Sequence, residues 1–180
     1  MQNKLFNKIE QSTELERLTM NETTIIYAHP YEESFNHAIL TKVEEILQNK
    51  NEPFTRLDLY QDNFNPVYSK EELSYFSQGK ALDPQVKHYQ EQLKKIKHLV
   101  LVFPIWWHDT PAILKGFLDK VMLHQFSYQD TKTGIKGLLI NIEDVTIITT
   151  SKLPTWYLKY FGGNAIEKVL IKSTLKRSRH

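Results

Sequence analysis

LVLVFPIWWHDTPAILKGFLDKVMLHQFSY, residues 99–128, decides the fold. Leu99 to Phe103 are apolar without a break, the signature of a central parallel strand covered on both faces. Pro104 has no N–H to give to a ladder and is expected to stop the strand. An aromatic loop follows, from Ile105 through Trp106, Trp107 and His108 to Asp109. Thr110 suits an N-cap and Pro111 a first helical residue. Behind them Ile113, Leu114, Phe117, Leu118, Val121 and Met122 recur at helical spacing. The order is therefore strand, aromatic loop, helix. In an open α/β sheet, ligands bind outside the carboxyl ends of the strands. Trp106 and Trp107 stand where they would wall a flat ligand.

Upstream, Thr24 to Ala28 make a first short strand, followed by the loop His29-Pro30-Tyr31-Glu32-Glu33-Ser34-Phe35-Asn36. The next helix should place Phe35, Ile39, Val43, Ile46 and Leu47 on one face, with Ser34 as its N-cap. A helix start aimed out of a parallel sheet offers N–H groups to an anion. The loop has neither G-x-G-x-x-G nor G-x-x-x-x-G-K-[ST], which excludes the Rossmann and P-loop versions of that device. Phe54 to Tyr60 predicts a second strand, and Asn65-Pro66 a turn. Ser69-Lys70-Glu71-Glu72 spells a capping box, with Gly79 as the stop. A helix from Asp83-Pro84 carries Val86, Tyr89, Leu93 and Ile96 on one stripe, and its terminal lysines suit a solvated face.

Downstream, 125–142 reads as a loop excursion punctuated by Tyr128, Gly134 and Gly137. Tyr128 suits either a packed aromatic or a substrate contact. Asp144 to Thr150 is a fourth strand, and Asn164 opens a helix running to about Lys176.

The chain has 180 residues, 41% hydrophobic and 24% charged, the size and make-up of one globular domain. A net charge of +2 without a long basic run argues against nucleic-acid binding. It also argues against an acidic electron shuttle. The absence of cysteine excludes disulfides, thiolate metal sites and cysteine nucleophiles. No metal site is expected. No apolar run approaches ~20 residues, and no signal-peptide core opens the chain, so a cytoplasmic location is expected.

Three ordered stretches carry a family resemblance. FPIWWHDTPAILKGFLDKV (103–121) resembles the central motif of the NAD(P)H:quinone oxidoreductase family, whose members are flavodoxin-like. IIYAHPYEESFNHAIL (25–40) resembles the family's first strand and flavin phosphate loop, and DLYQDNFNPVYSKEEL (58–73) the stretch after its second strand. The likeness runs from about Thr23 to about Leu175. It implies an α/β, flavodoxin-like open parallel sheet with helices on both faces and strand order 2-1-3-4, a fifth strand being missing. It implies FMN, with FAD as the alternative, and NAD(P)H as co-substrate. Hydride would pass from the nicotinamide through the flavin to a quinone or similar acceptor, in a site shared across a homodimer.

By the same resemblance, His29, Ser34, Phe35 and Asn36 hold the phosphate end of the flavin. Pro104, Ile105, Trp106 and Trp107 line its ring, Thr149 and Thr150 flank it, and Tyr157 bonds near its reacting end. Two departures stand out. Ser151, Lys152, Leu153 and Pro154 replace the glycines that members often carry after the paired threonines. The family's helper histidine has no counterpart, because its place falls on Gly163. The rival reading is a regulatory flavoprotein attached to a potassium-efflux transporter, and a third is a non-catalytic remnant. Residues 1–19 match no part of the family and read as an appendage, 20–176 as the domain, and 177–180 as a tail. A lost fifth strand would leave the fourth as an exposed edge and make the chain less stable, prone to self-association and weak as an enzyme.

Overall fold

The computed structural model describes residues 23–179. The expectation for residues 1–19 lies outside the described residues. Four parallel strands form the main sheet: β1 (Thr23–Tyr27), β2 (Phe54–Asp58), β3 (His98–Pro104) and β6 (Asp144–Thr150). Their order is β2-β1-β3-β6. The sheet is thus the flavodoxin-like arrangement expected, 2-1-3-4 when only parallel strands are counted. β1 and β3 are central and nearly fully buried, as the unbroken apolar run of β3 requires, and β1 buries Thr23 and Thr24 along with Ile25 and Ile26.

Helices cover both faces. On one side Leu40 of α1 (Phe35–Asn49) packs with Ile25, Tyr27 and Val102. On the other, α3 (Pro84–Leu93) and α4 (Ala112–Val121) bury Val86, Tyr89, Leu93, Leu114, Phe117 and Val121 against Ile26, Leu101 and Phe103. The expected apolar stripe of α3 is the observed one, and Asp83 caps it through Gln85 N–H. In α1 the inward face differs from expectation. Leu40 is its buried centre, with Ile39, Val43 and Leu47 partly buried, while Phe35 and Ile46 are exposed. Phe35 is the first helical residue, beyond the end of the sheet, and so reaches the ligand side instead of the core.

Several local features depart from the sequence reading. β2 ends at Asp58, because Asp58 Oδ1 accepts from the N–H groups of Tyr60 and Gln61 and turns the chain. Pro104 is the last residue of β3; opposite Thr150 it needs no N–H of its own, and Ile105 N–H bonds Thr150 O at 2.8 Å. α4 begins at Ala112, with Pro111 at the cap position and no side-chain cap. Thr110 does not cap it; its own N–H donates to Asp109 Oδ1. The 125–142 excursion contains a hairpin, β4 (Tyr128–Thr131) with β5 (Gly134–Gly137). The capping box of α2 (Lys70–Ser74) is formed in both directions, Ser69 to Glu72 and back.

After β6 come α5 (Thr155–Tyr160), a π-helical stretch (Ile166–Leu175) and α6 (Lys176–Arg179). Residues 177–179 are helical, where a free tail was expected. Ser178 is buried, its carbonyl accepts from Leu139 N–H, and the Arg179 guanidinium donates to Ile142 O and Glu143 O. Leu170 and Leu175 join the main core. Among the described residues β6 pairs only with β3, so it is an edge strand as expected. Among them, too, no helix is long and apolar enough to cross a membrane.

One buried ion cluster braces the loop below the site. Lys120 of α4 is 2% exposed. Its ammonium lies 2.8 Å from Glu72 Oε1, 3.1 Å from Asn65 O and 3.5 Å from Asp83 Oδ2. Burial works to raise the Glu72 carboxyl, but the bonds from Lys120 and Ser69 outweigh it and hold the group below its ordinary value. Beside this cluster, Gly116 admits Pro66 so closely that a Cβ there would lie 2.5 Å from Pro66 O.

Candidate active site

A cleft of about 910 Å³ opens at the carboxyl ends of β1, β3 and β6. Its walls are His29, Ser34, Phe35, Asn36, Pro104, Ile105, Trp106, Trp107, His108, Thr150, Ser151, Lys152 and Leu153. Nine of the eleven residues expected from sequence therefore meet in one place. Thr149 lines an adjoining lobe of about 630 Å³, which shares Phe35, Ile105, His108, Thr150, Ser151 and Leu153 with the first. Tyr157 lines neither lobe; it stands behind His108, ring centroids 6.1 Å apart and edge to face.

The polar end is built by the β1–α1 loop. Ser34 accepts from His37 N–H at 3.1 Å and so fixes the start of α1. The first N–H groups of α1 have no carbonyl one turn back to bond, and they favour an anion. His29 is tied down by Tyr31 N–H, which donates to its Nδ1 at 3.1 Å, and by its edge contact with Trp106 at 6.0 Å. Asn36 is 4% exposed; its amide nitrogen donates to Thr150 Oγ1 at 2.8 Å, and its Oδ1 has no partner. A buried orphan acceptor costs roughly 1–3 kcal/mol, so this oxygen is suited to a hydroxyl donor of a ligand.

The aromatic end is a two-residue turn. Trp106 and Asp109 exchange both backbone hydrogen bonds at 3.0 Å. Between them Trp107 and His108 both have positive φ, +49° and +67°, as a type I′ turn demands. Such turns ordinarily use Asn and Gly; two bulky side chains there store strain at the site. The turn holds Trp107 wholly in solvent and Trp106 at 42% exposure. Neither tryptophan is packed in the core.

Among the described residues no acidic side chain lines the main cleft, while His29, His108 and Lys152 do. A flat aromatic wall, a helix start, an orphan buried acceptor and a carboxylate-free lining together fit a flavin with its ribityl phosphate. His108, Ser151, Lys152 and Leu153 were not assigned to the site from sequence, although Ser151, Lys152 and Leu153 stood out there as replacements for the family's glycines. His108 had a signal, its place directly after the tryptophan pair. Tyr128 faces a separate cavity of about 400 Å³ on the α4 side, with Tyr68, Met122 and Arg177.

Comparison with known proteins agrees with this geometry. The family model described as flavodoxin-like fold matches residues 21–178. An NAD(P)H oxidoreductase of Haemophilus influenzae is 34% identical over 148 residues, which cover 82% of this chain and 73% of that protein. The rat NAD(P)H dehydrogenase (quinone) 1 is 27% identical over 157 residues, covering 78% of this chain and 57% of its own length. The chain thus spans little more than half the length of that mammalian relative. The solved NAD(P)H:quinone oxidoreductase of Methanothermobacter marburgensis is 26% identical, superposes with a TM-score of 0.75, and shares 84% of this chain and 78% of its own. The chain belongs to the NAD(P)H:quinone oxidoreductase family of flavodoxin-like proteins.

Proposed function

We propose that the chain is a flavin-dependent NAD(P)H oxidoreductase that reduces quinones or similar acceptors. The observation that carries this reading is the carboxylate-free cleft, with the Trp106-Trp107 wall at one end and the α1 start at the other. FMN is the proposed flavin. Bound there, it would supply the redox chemistry that couples oxidation of the dihydronicotinamide to two-electron reduction of the acceptor. Asn36 Oδ1 would accept from a ribityl hydroxyl, Ser34 and His29 would hold the phosphate, and Phe35, Ile105 and the tryptophans would shield the ring from water. Placing the ring between the two loops and excluding water from it are the protein's contribution.

A homodimer completes the site. Trp107, Trp156, Tyr160 and Phe161 are all more than half exposed, and a second copy covering such a patch is the reading we favour. The relatives reported above are oxidoreductases, and the efflux-subunit reading draws no support from them.

The test is a visible spectrum of the purified chain supplied with FMN, followed by NADPH-driven reduction of a benzoquinone. A bound-flavin spectrum with quenched fluorescence and sustained turnover is expected. A chain that leaves FMN and FAD spectra unaltered at micromolar concentration is not this enzyme.

A further inference from the structure

Reducing a quinone to a hydroquinone consumes two electrons and two protons. The dihydronicotinamide supplies the electrons and one proton as a hydride equivalent, and is itself oxidised. The second proton must come from water or from a group at the site. Gly163, with φ +77° and open space around it, offers no side chain for this. We propose that His108 is the proton donor to the acceptor, with Tyr157 as its positioning residue; the inference rests on the oxidoreductase reading above.

Three observations lead there. First, His108 lines both lobes, and among the described residues no other titratable side chain does so. Second, its ring is held from two sides. Tyr157 meets it edge to face at 6.1 Å, and Gly162 lies so close that a Cβ there would sit 3.3 Å from His108 Nδ1. Third, its backbone occupies the left-handed region that histidine enters more readily than most side chains, so the turn presents an imidazole where other side chains would add more strain.

The charged and titratable groups around it are few. On its own turn there is Asp109, and across the main lobe stand His29 and Lys152. The second lobe adds Lys159 and Glu167, and Tyr157 faces the ring from α5. His29 is already bonded to Tyr31 and sits with Trp106. Histidine is the side chain suited to gaining and losing a proton near neutral pH.

In the step, the acceptor oxygen takes the proton from the His108 imidazolium as the acceptor receives the electron pair. The N–H bond breaks, the O–H bond forms, and the neutral imidazole is reprotonated from water. Because the donor must be protonated, the step slows as pH rises.

The test separates the two half-reactions by stopped flow with the FMN-loaded full chain, NADPH and a benzoquinone. His108→Gln and His108→Asn are compared with the parent; asparagine tolerates the positive φ and guards against loss of fold. Both variants should slow the quinone half-reaction about 10²-fold more than the NADPH half-reaction, and abolish its alkaline decline. A second readout needs no flavin. The His108 ring signals in an NMR spectrum of the flavin-free chain should shift on adding 4-nitrophenol, while those of His98, far from the cleft, stay fixed. Equal slowing of both half-reactions, or a pH profile unchanged in the variants, or an unresponsive His108 ring, overturns the proposal. A parent that binds no flavin instead overturns the functional reading, and the NMR result then stands alone on His108.

Discussion

Asn36 and Thr150, 114 residues apart in sequence, are joined by an amide-to-hydroxyl hydrogen bond of 2.8 Å. The bond ties the first turn of α1 to the last residue of β6, across the cleft mouth. It holds Asn36 Oδ1 unpartnered and buried at the point where a ligand hydroxyl would arrive. Asn36→Ala removes the ligand contact and the tie together. It should weaken FMN binding about ten- to a hundred-fold, the worth of one hydrogen bond to a charged or buried group. Thr150→Val removes only the tie and should cost less. Fluorescence quenching titrations of both variants measure this, and parent-like affinity in Asn36→Ala would place the phosphate end elsewhere.

The Trp107-His108 turn gives a prediction of opposite sign. Trp107 is fully exposed, so glycine at this position loses no burial and relieves a positive φ. Trp107→Gly should therefore raise stability by about 1 kcal/mol, or about 2–4 °C in Tm for a domain of this size. It should also weaken flavin binding, since half of the aromatic wall is gone. A calorimetric scan beside a flavin titration checks the pair. A lower Tm would mean that the tryptophan makes contacts in solution that hold the turn.

Much of this site was legible in the sequence, and its limits have physical causes. Strand and helix periods are local, so 99–128 and 23–40 could be read from apolar spacing alone. The grouping of His29, Ser34, Phe35 and Asn36 with Pro104 to Trp107 is not local; it came from resemblance, and the parallel β1–β3 register brings the two loops side by side. The turn type was hidden because Trp-His carries no Asn-Gly signature. Helical spacing grouped Phe35 with Ile39, Val43, Ile46 and Leu47 on one face, but spacing does not tell where the sheet ends, and Phe35 lies at the cleft where the resemblance had put it. Lys120 was passed over because a lysine at the end of a helix ordinarily lies in solvent, and only the fold brings Glu72, Asp83 and two loop carbonyls around it.

That buried lysine makes stability depend on acid. Glu72 is held ionised below its ordinary value, so the unfolded chain takes up the proton first as pH falls. Its contribution is fully present above the unfolded carboxyl value, near pH 4.3, and is lost as pH drops through the lower folded value. Glu72→Gln should destabilise the chain at pH 7 by about 3 kcal/mol, the scale of breaking one side of a buried pair. The variant should also lose less stability than the parent on acidification. Urea titrations at pH 7 and at lower pH measure both effects, and parallel loss in parent and variant would exclude Glu72 as the source.

The edge of the sheet supplies the last prediction. β6 has a partner on one side only among the described residues, and its sequence DVTIITT carries a single charge, at its first position. Val145 and Ile147 lean on the main core and Ile148 on the smaller one, so the strand is seated on both faces. An edge of this kind, free of internal lysine and proline, presents a ready ladder to another chain. Thr146 is exposed at the middle of the strand, where a lysine would meet solvent in the monomer and an unfavourable burial in an edge-to-edge pair. Thr146→Lys should therefore change monomer stability by no more than about 0.5 kcal/mol while slowing concentration-dependent association. Light scattering and size-exclusion chromatography across a concentration series distinguish the outcomes. Association that persists unchanged in Thr146→Lys, with flavin bound and activity intact, would locate the contact away from β6, on the exposed aromatic surface around Trp107 and Trp156.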